Sequence, residues 1–438
     1  MAAGDPIFDS VAYEQGLKTV YEPEINYQQN DMLDLKELWT MSAFRWEGLV
    51  VKPLVSLGRG HSYMAVGSMS QFPSPVNEIT KQAEIYAKWM RGSLLVSEES
   101  MVASATSKGA WMGSQEFMME RFIKNQAREE NRMFASGSGT GVLCLVDGAG
   151  AGTTALTVDA PAGVPNDGWG TRYCQVGMKI AIHNGTTIFA IRTITAIAVE
   201  SATAGTLTLN AAVTALEAPN DAFVSRVVND NIAEVLLAQD TSYGNEPMGL
   251  GGIIDDGTLV ANFQGLLRST YPDYKAVVIP VTAISLDALQ QLDDTINDQG
   301  EGLPTHYAVQ SAVKRAYTAG MDVARGFMQA TGGPGNFDLG LEPKGVPLKY
   351  NARPILESRD IQIGEWLAVN KPALNKYELV KGEWASNVGG SILIWDGSGR
   401  DAFMIRWRKA FNYGTRRPNA HGKLTGIPTG VAIRRHNI

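Results

Sequence analysis

The chain runs to 438 residues, of which 44% are apolar and only 19% charged, with 38 Lys and Arg against 45 Asp and Glu for a formal net charge of −7. That length supports a large buried core and about three domains, and it excludes a peptide-sized or disulfide-stapled scaffold. The low charge density leaves much of the surface neutral, as surface that meets other protein often is, and the acidic balance excludes a cationic coat gripping phosphates.

Residues 1–30 begin acidic and polar (Asp5, Asp9, Glu14), with no basic region leading into an apolar run. No eighteen consecutive apolar residues occur anywhere, so neither secretion nor a membrane span is expected. Tyr13, Val20, Tyr21, Pro23, Ile25 and Tyr27 carry apolar surface without helical period. The segment reads as an extended arm, with a disordered tail as the alternative. A short helical segment is placed at 31–48, its pattern carried by Met32, Leu35, Leu38 and Trp39 over 31–41. Residues 49–96 read as a long two-stranded flap: strands at 49–57 and 85–96, the second with Ile85, Ala87 and Trp89 on one face, around a Gly-, Ser- and Met-rich excursion. Ser97 can cap a short helix through Ala105, and Ser114 the clearest helix of the chain, 114–134. Glu116, Glu120, Lys124 and Arg128 recur there every four residues, acids toward the N-terminus and bases toward the C-terminus, which suits side-chain pairing and the helix dipole.

Past Gly137 the composition turns to Ala, Thr, Gly and Val with few charges. Strands are expected at 154–158, 179–182, 188–199, 206–210 and 222–227, with Asn184-Gly185 as a type I′ hairpin turn. They suggest a small inserted barrel or sandwich over 148–228, or else hairpins of a larger sheet. Beyond it, strands at 276–280 and 305–310 alternate with helices at 285–299 and from Ser311 through Ala319, an α/β arrangement assigned to 229–373 with 411–438. Antiparallel strands at 377–380, 391–395 and 402–407 join residues 97–147 in a further domain, 97–147 with 374–410. The tail is basic.

Little in the sequence carries catalytic chemistry. Cys144 and Cys174 lack metal-ligand or disulfide spacing and read as inert, partly buried thiols, consistent with a reducing compartment. The five histidines, among them His61, His306 and His421, form no ligand grouping, and no nucleophile elbow or phosphate-binding lysine loop occurs. Gly137–Gly141 follows a helix and has no lysine, so it reads as a turn. His306 reads as structural. No catalytic, cofactor-binding or metal-binding residue is expected, and no cofactor.

Arm, flap, long helix, α/β domain and closing strands follow one another in the order found in tailed-bacteriophage major capsid proteins of the Hong Kong ninety-seven type. The passage from Glu84-Ile85-Tyr86-Ala87-Lys88-Trp89 through Ser100-Met101-Val102-Ala103-Ser104 into the helix at Glu116 resembles that family's transition from extended loop to spine helix. Residues 285–317, with Gly302-Leu303-Pro304-Thr305-His306, are similar to part of its axial domain, and Arg417-Pro418-Asn419-Ala420-His421-Gly422-Lys423-Leu424 to its closing segment. The resemblance implies an α+β capsid fold with N-terminal arm, extended β-hairpin loop, peripheral domain with spine helix, axial domain and an inserted all-β domain. It implies a non-enzymatic subunit forming hexamers and pentamers of an icosahedral virion shell, assembled in the host cytoplasm around double-stranded DNA held without sequence-specific contacts. The partners it implies are a portal, a decoration or cement protein and, since no charged helical prodomain precedes the arm, a separate scaffolding protein. An encapsulin-type compartment shell is the alternative, and then an α/β enzyme whose pocket gathers residues 245–252 and His306. The expected interface residues are Tyr13, Tyr21, Ile25, Tyr27, Arg59, His61, Tyr63, Glu116, Glu120, Lys124 and Arg128. Between Leu54 and Thr80 no lysine occurs, so the covalent lysine–asparagine links of some relatives are not expected.

Overall fold

In the computed structural model, the described residues are 35–42, 46, 48–58, 62–68, 71–72, 74–103, 114–163, 169–198, 205–300, 302–329, 348–386, 391–395 and 401–428. The arm lies outside them, as do Arg59 and His61. The described residues divide into two compact units, one holding 87–131 with 378–411 and the other the rest of them.

In the first unit the strand Lys88–Ser97 runs antiparallel to Ala402–Thr415, in register from Ala402 opposite Ser97 to Phe411 opposite Lys88. Leu374–Ala385 and Leu393–Trp395 complete the sheet beside Ala402–Thr415. The long helix, Ser114–Ser136, packs on one face of it. Phe122 fits its ring against Trp384 and Trp407, at centroid distances of 5.4 and 5.7 Å, over Gly92, where any side chain would collide with that ring. Lys409 bridges Glu130 (2.5 Å) and Glu378 (3.8 Å) on the same face. Ser97 does cap a helix, Glu98–Ala103, its Oγ accepting from Ser100 N–H at 3.3 Å.

The flap departs from expectation. Val50–Val51 pairs with Ile85–Tyr86, and Leu54–Gly58 with Ile79–Gln82. Lys88–Ser97, expected as part of the same returning strand over 85–96, pairs instead with Ala402–Thr415 and belongs to the other unit. Of the helix expected over 31–41, the described part, 35–41, is instead one 3₁₀ turn, Lys36–Leu38, and a short strand, Thr40–Met41, parallel to Leu374–Ala385. Leu35 and Leu38 are still buried. Their spacing of three suits a 3₁₀ turn as well as an α-helix, and the extended Trp39 ends it before Thr40 and Met41 pair.

In the second unit six antiparallel strands close into a barrel in the order Ile188–Ile197, Gly205–Val213, Thr153–Asp159, Val142–Val146, Phe223–Arg226, Lys179–His183. Its core is Leu, Ile, Val and Ala with Tyr173 and both cysteines, which are buried and in no disulfide among the described residues. The barrel starts earlier than the boundary expected at residue 148. Val142–Val146 is apolar at every position and buried at all but Leu145, so it has no alternation by which to be read as a half-exposed strand. The hairpin turn also differs. Asn184 N–H donates to Thr187 O, which makes Gly185 and Thr186 the central pair, with φ +92° at Gly185 alone. That is the type II′ arrangement, glycine first, with Asn184 Oδ1 accepting from the N–H groups of Thr186 and Thr187.

The rest of this unit is a six-stranded mixed sheet, ordered Val277–Pro280, Gly422–Thr425, Trp366–Val369, His306–Val309, Arg353–Glu357, Lys349–Tyr350. Leu289, Leu292 and Ile296 of the helix Leu286–Gly300 and Val313 and Tyr317 of Ser311–Gln329 pack with it around Trp366. The second helix outruns the expected stop at Ala319, since Gly320 inside a helix costs only about 1 kcal/mol. Tyr173 reaches from the barrel to donate to Asp360 O at 3.1 Å.

Candidate functional site

The residues that could carry chemistry make structural contacts. Among the described residues no group of three His, Cys, Asp or Glu could hold a metal ion. The segment 245–252 is a packing element: a Cβ on Gly249 would lie 2.1 Å from Met133 O, and one on Gly252 2.4 Å from Met248 Sδ. His306 sits on its own strand with Nδ1 2.9 Å from Thr305 Oγ1, its pKa lowered by burial and then by Lys371. An open cleft of about 540 Å³ is lined by Leu286, Gln290, Tyr317, Lys349, Tyr350 and Asn351 among others. Asp293, 3.4 Å from the lining residue Asn351, is fully engaged: Tyr307 Oη donates to it at 2.7 and 2.8 Å and Arg353 at 2.7 Å. Burial first, and then Asp293, raise the Tyr307 pKa and keep that hydroxyl a donor.

What stands out is uncovered apolar surface on the flap. Its base is anchored: Val55 and Leu57 are buried, Ala83 N–H donates to Pro53 O, and Lys52 pairs with Glu84 at 2.7 Å. Hydrogen bonds from Lys52 and Tyr86 hold the Glu84 carboxyl below its ordinary pKa. Farther out, Ser62 Oγ both donates to Val76 O (2.9 Å) and accepts from Val76 N–H (2.7 Å), tying the two sides of the excursion. Alternation along Leu54–Gly58 turns Val55 and Leu57 inward and leaves Leu54 outward. Leu54, Tyr63, Met64, Phe72, Val76 and Ile79 are exposed, Phe72 at 96% and Tyr63 at 79%. Single exposed apolar residues are ordinary, but a run of them on one projecting element marks an interaction surface.

Of the expected interface residues, Tyr63 is therefore part of this surface. Tyr13, Tyr21, Ile25, Tyr27, Arg59 and His61 lie outside the described residues, and Glu116 is described in backbone only. Glu120 and Lys124 pair with each other within the helix at 2.7 Å, and Arg128 is half-buried. Sequence reading missed Phe72, Met64 and Leu54. The signal that could have found them was present: large apolar residues in a Gly- and Ser-rich stretch too irregular to bury them.

No protein-family model matches the sequence, and no curated protein does. Among solved structures the chain is similar to the capsid of a native GTA particle, at 10% identity and a TM-score of 0.47 over 96% of this chain and 99% of that one. It is similar to the Cyanophage A-1(L) capsid, at 7% and 0.49 over 94% and 97%. It is also similar to the SrpI encapsulin of Synechococcus elongatus, at 8% and 0.42 over 98% of each chain.

Proposed function

We propose that this chain is the major subunit of an icosahedral virion shell of the Hong Kong ninety-seven type, packing as hexamers and pentamers around double-stranded DNA. The observation that carries the reading is the flap, an anchored hairpin whose outer apolar side chains have no cover among the described residues of its own chain. A neighbouring copy supplies that cover in a closed shell, where the same patch meets the same complementary patch all round. The role is structural rather than catalytic. Portal, scaffolding and decoration proteins are the further partners, and assembly takes place in the host cytoplasm. The acidic net charge suits a lining along which packaged DNA must slide. Electron microscopy and sedimentation of the native assembly test the proposal: closed particles are expected, and a monomer or small dimer as the native species overturns it.

A further inference from the structure

Asn184-Gly185 is the only Asn-Gly pair in the chain. An asparagine followed by glycine is the one most open to attack on its side-chain amide by the next backbone nitrogen, because glycine puts no side chain in the way. The barrel turn fixes that glycine. Gly185 holds φ +92°, and a Cβ there would lie 2.9 Å from Tyr243 Oη. Asn184 is exposed, while the ring of His183 beside it is fully buried.

Two sets of contacts converge on the atoms such an attack would use. Asn184 Oδ1 accepts three hydrogen bonds, from Thr186 N–H at 3.0 Å, Thr186 Oγ1 at 2.8 Å and Thr187 N–H at 2.8 Å. They fold the side-chain amide forward over the Gly185 peptide and aim donors at the oxygen where negative charge gathers when its carbon is attacked. Gly185 N–H in turn donates to His183 Nδ1 at 3.0 Å. Because that nitrogen accepts, Nε2 carries the ring proton and donates to Ser225 Oγ at 2.9 Å. Edge contacts with Phe223 and Tyr243 hold the plane of the ring. Burial lowers the His183 pKa to about 4, so Nδ1 keeps its lone pair at neutral pH.

We propose that this turn is a self-modification site, where the chain converts Asn184 to aspartate and isoaspartate through a cyclic imide with His183 as the base. The bond from Gly185 N to Asn184 Cγ forms as the Gly185 proton passes to His183 Nδ1. The Cγ–Nδ2 bond then breaks, His183 returns the proton to Nδ2, and ammonia leaves. Water opens the five-membered ring at either carbonyl, giving aspartate or, with the backbone rerouted through Cβ and Cγ, isoaspartate. Each event leaves one new carboxylate on an exposed turn of the barrel. The inference stands apart from the shell reading and needs only the folded barrel.

The full-length chain is kept at neutral pH, and peptides spanning Asn184 are followed by mass spectrometry. An imide lighter by one ammonia is expected first, then aspartate and isoaspartate together, formed about tenfold faster in the folded chain than in the same chain in guanidinium chloride. His183→Gln can accept from Gly185 N–H but cannot take its proton, and is expected to bring the folded chain down to the unfolded rate. Thr186→Val, at an exposed position, removes one Oδ1 donor and is expected to slow the folded chain severalfold; it decides the matter with the unfolded comparison if circular dichroism shows that His183→Gln does not fold. A folded rate equal to or below the unfolded one overturns the inference, since the hydrogen bonds then guard the amide. So does an unchanged rate in a folded His183→Gln or in Thr186→Val, and so does aspartate formed without imide or isoaspartate, which is direct hydrolysis.

Discussion

Arg132 Nη2 lies 2.5 Å from Glu246 Oε1, and both side chains are nearly buried, at 6% and 9% exposure. The guanidinium also lies 5.5 Å from the centroid of the Tyr173 ring, so the C-terminal end of the long helix, the segment after the barrel and the 3₁₀ turn Gly170–Tyr173 meet at one ion pair. Removing one partner takes the opposite charge away from a group that is nearly withdrawn from water. Glu246→Ala is expected to lower unfolding stability by about 3–5 kcal/mol, read by urea denaturation. Glu246→Gln keeps a hydrogen-bond acceptor and is expected to cost less.

Two buried histidines set an acid limit. His421 accepts from Asn370 N–H through Nδ1, and its Nε2 lies 3.3 Å from Thr415 Oγ1; burial pushes its pKa down to about 3. Burial lowers that of His183 to about 4. Both are neutral in the folded chain, whereas the unfolded chain takes up protons below about pH 6.5. Their contribution is thus fully present above that pH, falls as pH drops toward 4 and 3, and is absent below. The urea midpoint is expected to fall between pH 7 and pH 4.5, and less steeply in His421→Gln than in the unaltered chain.

Gly92 admits no side chain: a Cβ there would lie 2.3 Å from Phe122 Cζ. In Gly92→Ala the ring must turn away from Trp384 and Trp407, at an expected cost of about 1–3 kcal/mol measured by thermal unfolding. Ser93→Ala, on the opposite face, is expected to stay within about 0.5 kcal/mol.

Phe72 contributes nothing to the fold of its own chain at 96% exposure. Phe72→Ser is expected to leave unfolding unchanged within about 0.5 kcal/mol while reducing the yield of closed particles in sedimentation. Normal particles from the variant would count against the flap as a contact between copies.

The barrel is a module by its connections, since Val142 in its entry strand stands opposite Ser225 in its exit strand. A short Gly-Ser bridge in place of residues 142–226 is expected to leave a soluble chain that retains the helices and the six-stranded sheet by circular dichroism, and to change the size or strength of particles.

Periodicity made some elements legible and physics elsewhere hid the others. The long helix announces itself in repeated four-residue charge spacing, and five barrel strands in β-branched runs between glycines. Val142–Val146 was invisible as a strand of that barrel because burial on both faces erases alternation. Lys88–Ser97 looked continuous with the flap because nothing local reveals a partner more than three hundred residues later. The flap's anchored base could be inferred from alternation at Leu54–Gly58, but which side chains stay uncovered depends on how the excursion folds back at Ser62 and Val76.

Cys144 and Cys174, the only two cysteines of the chain, both sit fully buried inside the barrel. A thiol reagent can reach neither until the barrel opens, whatever the other sheets are doing. The rate of alkylation therefore clocks the breathing of one module in a chain that needs no added label, in the isolated subunit and in the finished particle alike.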